Sequence, residues 1–171
     1  MPTGMPIGMW THAIEKSGAS SVTVTSRTHT GAINQFSRME ADLETLRPRA
    51  TLFRHGMVGN YKLTYDSRQV RVNANGKDLK PVELTALSID NEGVLPLLRR
   101  LPLAEGYKQK IDVVSPLAGS NMSITIEVAA AEEIQTPAGN FRTFKVELSP
   151  IQQTFWISND SHRYIVKNGD E

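Results

Sequence analysis

Four histidines, His12, His29, His55 and His162, are the side chains best suited to acid–base or metal chemistry, and they are scattered singly. Zinc-binding histidines on a helix normally sit four apart, and no pair here does. Carboxylates occur in pairs, as Asp42/Glu44, Glu132/Glu133 and Asp170/Glu171. General acid–base work needs two carboxyls across a cleft with separated pKa values. Neighbours on a strand point to opposite faces, so Glu132 and Glu133 cannot act together. Asp42 and Glu44 can share a face, as residues of a solvated edge. No serine sits in a G-x-S-x-G elbow, and G-x-x-x-x-G-K, G-x-G-x-x-G and H-E-x-x-H are absent. A Ser–His–Asp triad is assembled in space rather than in sequence. Its candidate bases are His55, in Arg54-His55-Gly56, and His162, beside Asp160. The residues point to a non-enzymatic protein with no catalytic residue, metal site or cofactor.

Arg38, Arg47, Arg49 and Arg54 lie near Phe53 and Tyr61, and arginine interleaved with aromatics can bind nucleic acid. Here Glu40, Asp42 and Glu44 are interspersed, so the stretch reads as a wet sheet face with mixed charges. The whole chain agrees: 19 basic residues nearly balance 18 acidic ones over 171 residues, for a net charge of +1. Such a chain has no long-range field to draw in nucleic acid or an anionic membrane. Zero cysteine excludes thiolate sites, thiol catalysis and disulfides. No apolar run approaches the roughly 18 residues of a transmembrane helix. Hydrophobic (39%) and charged (22%) fractions exclude disordered, collagen-like and disulfide-scaffold classes. The length suits one domain, 1–171, with a sizeable core.

The elements that must position these side chains are mainly strands. Val22 and Val24 alternate with Ser21, Thr23 and Thr25; Tyr61, Leu63 and Tyr65 alternate with Lys62, Thr64 and Asp66. Met122, Ile124, Ile126 and Val128 alternate with Ser123, Thr125 and Glu127, and Phe144, Val146 and Leu148 with Thr143, Lys145 and Glu147. Period two puts a dry and a wet face on each strand, the pattern of an antiparallel sheet covered on one side. Shorter runs at 69–74, 110–114, 154–158 and 163–167 extend the series. Asn75-Gly76, Pro137–Asn140 and Asn159–Ser161 supply hairpin turns, hence a meander. Helix is scarce: Ser88 or Asp90 caps a short helix starting near Val94, with Pro96 in its first turn and Leu95, Leu98 and Leu101 buried against the dry face. Met39–Leu46 suits a second helix, although 35–46 serves equally as strand. Met1–Trp10 has neither a basic n-region nor an apolar h-region, so it reads as no signal peptide, and residues 1–18 as an irregular lead-in.

The second half carries a family likeness. Leu97–Gly106, Ile124–Val128, Glu133–Phe141 with Pro137-Ala-Gly-Asn-Phe141, Thr143–Leu148 and Phe155–Asp160 with its W-x-S-x-D turn together resemble the bacterial domain-of-unknown-function family 3108. Pro48–Asp66 resembles it too, and the likeness runs from about Ser20 to Glu171. It implies a LolA/LolB-like half-barrel, a curved antiparallel meander around one or two short helices on its concave face, at a periplasmic, envelope or secreted address. The family has no established catalytic residues to transfer. Its members often begin with an extra strand pair, unlike the lead-in expected here. They also often continue beyond the final strand, whereas this chain stops at Asn168–Glu171, which reads as a hairpin turn.

Two functions follow as expectations, ahead of a third, a hydrolase of glycans or lipids, which needs His55 or His162 to meet a carboxylate in a cleft. A curved, one-faced sheet can hold a hydrophobic small molecule or lipid, lined by Tyr61, Leu63, Tyr65, Met122, Ile124, Ile126, Phe144 and Val146. If those side chains are simply core, the domain is instead an envelope scaffold, met by a protein partner at a sheet edge or on the wet face. Trp156, opposite in direction to Phe155 and Ile157, would then face outward at an interface.

Overall fold

A computed structural model describes residues 8–31, 33–115 and 118–169. The chain is mainly β. Strands β1 (Gly8–Lys16), β2 (Ser21–Thr30), β3 (Ile33–Asp42), β4 (Pro48–His55), β5 (Gly59–Tyr65), β6 (Gln69–Ala74) and β7 (Lys77–Asp78) follow one another as antiparallel neighbours, and β8 (Val82–Glu83) pairs with β6. This meander does not close, as expected of a half-barrel. A second sheet has the order β14-β13-β12-β11-β10-β9, with β9 at Ser88–Asp90, β10 at Lys108–Ser115 and β11 at Ser120–Thr136. Its remaining strands are β12 (Gly139–Ser149), β13 (Gln153–Ser158) and β14 (Ile165–Gly169).

The chain forms two compact units, Met1–Pro96 with Val113–Asn121, and Leu97–Asp112 with Met122–Glu171. In the first, the dry face of the meander buries Val22, Val24, Met39, Ala41, Leu63 and Val72. Alternation is the cause: Val24 opposes Met39, Met39 opposes Thr51, Thr51 opposes Leu63 and Leu63 opposes Val72, so one register row crosses five strands on the same side. A 3-10 turn at Asn91–Gly93 lies against β2 and β3, where Gly93 comes up to the Met39 thioether. In the second unit, Ile126 faces Leu148, and Val128 faces Val146, which faces Phe155. A bulge after Val128 shifts the register of β11.

Asn75-Gly76 turns with both φ angles positive (51° and 85°), and Pro137-Ala138 joins β11 to β12. The helix α1 spans Val94–Leu98, after an N-cap at Asp90. Three expectations need correction. The stretch read as an irregular lead-in is strand from Gly8, because β1 is mostly wet, with only His12 and Ile14 half-buried on one face, and its alternation is faint. Its pairing with β2 gives the chain an opening strand pair after all. Met39–Leu46 is not helical: β3 runs to Asp42, Met39 and Ala41 being buried on one side, and the Asp42 carboxylate then accepts the Glu44 and Thr45 amides to make the turn. Asn168 and Gly169 belong to β14, opposite Phe155 and Thr154, rather than to a turn.

Candidate functional site

Across the wet face of the first unit, Thr11, Arg27, Phe36, Arg54 and Asn60 stand opposite one another in register on β1 to β5. Cross-strand partners share a face, so their side chains form one row. The Arg27 guanidinium carbon sits 4.7 Å from the Phe36 ring centroid, a cation–π contact that holds the arginine over the ring. This row floors an open groove of about 720 Å³, which Met9, His29, Asn34, His55, Gly56 and Gly59 help to line. His29 is hydrogen-bonded to Asn34, and Nδ1 of His55 accepts the Met57 amide at 3.1 Å. At the groove's end the Asn75 carboxamide accepts the Asn60 amide at 2.8 Å. Gly59, with φ +95°, is obligatory there, since an added Cβ would lie 2.2 Å from Asn75 Oδ1. A smaller hollow of about 280 Å³ adjoins it, sharing Arg27 and Phe36 and reaching Arg38 and Glu15.

The arginines singled out from the sequence are thereby divided. Arg54 belongs to the groove, Arg38 is paired with Glu40 at 3.2 Å, and Arg49 binds Asp42 at 3.4 Å and the Ser21 hydroxyl at 2.9 Å. Phe53 and Tyr61 lie on the opposite face, edge to face at 6.0 Å. The Asp42 carboxyl is held below its ordinary range, chiefly by the Thr45 backbone and hydroxyl.

The residues named as a ligand lining divide by unit. In the first, Leu63 is fully buried in a cluster with Val70, Val72, Val82 and Val114, and Tyr61 and Tyr65 pack on that cluster half-buried. In the second, Ile124, Ile126, Phe144 and Val146 are each no more than 6% exposed, whereas Met122 is 37% exposed. Tyr65 carries a further surprise: its hydroxyl donates to Asp90 Oδ2. Thr51 Oγ1 donates to the same oxygen at 2.8 Å, and the Glu92 amide to Oδ1 at 2.8 Å. Asp90 is buried, and loss of hydration drives its carboxyl pKa upward against the pull of these donors. Burial, then the neighbouring Asp90 charge, drives the Tyr65 hydroxyl upward too. Sequence reading placed Asp90 as a cap, which it is, but not as the acceptor of two distant hydroxyls.

The histidines do not assemble into a triad that the described contacts reveal. His12 Nδ1 meets Ser26 Oγ at 2.9 Å, on a serine that is buried. Ser158, Asp160 and His162 do cluster, but in the wrong order for nucleophile activation: Ser158 donates to Asp160 Oδ1 at 3.1 Å, and the His162 ring lies 3.7 Å from that same oxygen. A nucleophile needs the imidazole between itself and the carboxylate. Asp160 Oδ1 also accepts the His162 and Arg163 amides, which makes the group a turn and holds the Asp160 carboxyl below its ordinary range. No three His, Asp or Glu among the described residues could hold a metal ion, and no helix there is long and apolar enough to cross a membrane. Trp156 does not face outward. It does point away from Phe155, yet Lys167 covers its ring at 4.1 Å, its Nε1 donates to Glu132, and only 6% of it is exposed.

The family described as "Protein of unknown function (DUF3108)" matches residues 2–168. No curated protein and no solved structure matches the chain.

Proposed function

We propose, on the premise that the chain belongs to the DUF3108 family, that it is a non-enzymatic interaction module of the bacterial cell envelope. Its partner would be a protein that adds an extended segment to strand β1. The observation that carries this reading is β1 itself: nine residues long, it pairs with β2 alone among the described residues. Edge strands are normally blunted by shortness, proline, bulges or charge. The stretch from Gly8 to Ala13 has none of these, and Met9 and Trp10 are 66% and 41% exposed. An added strand would satisfy the outer amides and carbonyls of β1 and cover both side chains. The alternative of a lipid held against the dry face has less support. Such a ligand would have to displace Leu63 in the first unit, or Ile124, Ile126 and Val146 in the second, all packed at 0–2% exposure.

A photo-crosslinking amino acid at position 10, in the native host, tests the proposal. A single protein adduct in the envelope fraction is expected, mapped to an extended segment of the partner and lost when His12→Pro removes an outward amide of the edge. Adducts that survive His12→Pro, or a protein that fractionates away from the envelope, would refute it. Trp10 is exposed, and the His12 amide faces away from β2 because the Ser17 amide donates to the Ser21 carbonyl and alternate pairs of this register carry the ladder, so neither change should unfold the domain.

A further inference from the structure

We propose that the wet-face groove of the first unit is a binding site for a phosphate-bearing ligand, clamped between Arg27 and Arg54 with its carbon portion on Phe36. This inference is independent of the edge-strand reading. It starts from a charge imbalance. The chain as a whole is nearly neutral, yet the residues lining the groove include Arg27 and Arg54 and no Asp or Glu. Neither arginine has an ion-pair partner among the described residues, unlike Arg38, Arg49 and Arg71, which have carboxylates within 4 Å. Two guanidinium groups with no acid beside them leave a local positive potential that a bound anion would neutralise.

Geometry narrows the ligand. Arg27 and Arg54 both stand opposite Phe36, one strand away on either side, so their backbones are roughly 10 Å apart. Arg27 already leans over the ring, which brings its guanidinium group over the strand that lies between the two arginines. A group bound there meets planar donors from two directions, which suits the several oxygens and double charge of a phosphate monoester better than a single carboxylate. Asn60, Thr11 and Asn34 add neutral polar groups at the rim, and Met9 and Phe36 supply apolar surface beside the charge. The volume of about 720 Å³ is that of a small-molecule site. Glu15 first brings in a carboxylate at the adjoining hollow, which bounds the electropositive stretch.

The phosphate can come from a soluble metabolite or from a lipid headgroup, and two probes separate these sources. Calorimetry with glycerol 3-phosphate should give saturable binding at one site, weakened at least about tenfold by Arg27→Gln or Arg54→Gln, as expected for loss of a charge-assisted pair. Arg27→Lys should recover only part of the affinity, because it keeps the charge and loses the fork. Arg71→Gln, on the same face but outside the groove and already paired with Asp66, should change nothing. Cosedimentation with phosphatidic acid vesicles, set against phosphatidylcholine vesicles, then reports the source. Binding to both probes with the same arginine dependence assigns a headgroup; binding to the soluble probe alone assigns a metabolite. The proposal fails if neither probe binds, if Arg71→Gln weakens binding as much as Arg54→Gln, or if a single-stranded oligonucleotide displaces glycerol 3-phosphate at micromolar concentration.

Discussion

Replacing Asp90 separates the two properties of its carboxyl, its charge and its role as acceptor. Three donors converge on it, from Thr51, Tyr65 and Glu92. Asp90→Ala removes all three acceptor positions. Tyr65 is only half-buried and can turn to water, but Thr51 is 6% exposed and the Glu92 amide lies in a buried turn. Two buried donors left unsatisfied cost about 1–3 kcal/mol each, so Asp90→Ala should lose about 2–5 kcal/mol near pH 7 after the gain from removing a poorly hydrated carboxylate. Asp90→Asn keeps an oxygen for the Glu92 amide and offers an NH2 to which both hydroxyls can turn a lone pair. It should therefore lie within about 1 kcal/mol of the parent. Because burial raises the folded pKa of Asp90 above its unfolded value, the folded state binds the extra proton. The contribution of this carboxyl to stability is then full below the unfolded pKa and is lost as pH rises through the folded pKa. Urea unfolding of the parent and Asp90→Asn from pH 4 to 8 isolates that term, since both proteins share Asp42, Asp66 and Asp160, whose pKa values are lowered and whose contribution runs the other way. The parent should gain on Asp90→Asn as pH falls. A difference that is flat, or that grows with pH, would refute the account of a carboxyl strained by burial, and an Asp90→Ala loss below 1 kcal/mol would refute the donor count.

Leu63→Ala should lower the urea unfolding free energy by about 2–5 kcal/mol, the cost of a core cavity; a change under 1 kcal/mol would mean the side chain lines an open site. Gly59→Ala forces a positive φ on alanine and drives its Cβ into Asn75, so a loss of about 1–3 kcal/mol is expected, read as a lower melting temperature. In Trp10→Phe the remaining indole is Trp156, buried under Lys167, and acrylamide should quench its emission only weakly; quenching as strong as that of free tryptophan would refute that packing.

Where one side of a strand is dry, the sequence announces the strand. Tyr61–Tyr65, Met122–Val128 and Phe144–Leu148 alternate and lie in β5, β11 and β12, and Gln69–Ala74 is β6 from end to end. Legibility fails where that contrast vanishes. β1 is mostly wet, with only His12 and Ile14 half-buried, so its period is faint. β13 is buried from Thr154 to Ser158, so Trp156 looked like an outward residue when its opposite side is covered as well. Period two still gave its direction correctly; what it could not give is that Lys167 and Glu132, from two other strands, close over it. The same holds for Asp90, whose cap role is local and readable while its hydroxyl partners are 25 and 39 residues away.

The groove was illegible for a related reason, and that reason bears on its meaning. Arg27, Phe36 and Arg54 are ordinary wet-face residues in their own strands, and only pairing register makes them neighbours. Elsewhere on this face cations meet acids, as Arg38 meets Glu40 along β3 and Arg71 meets Asp66. The next wet row also sets two cations, Arg38 and Lys62, on either side of one apolar residue, Leu52, but there Arg38 has its carboxylate. The row through Phe36 differs in having two arginines around one ring, with no acid in the groove lining. Such a local departure is expected where a fold serves a ligand.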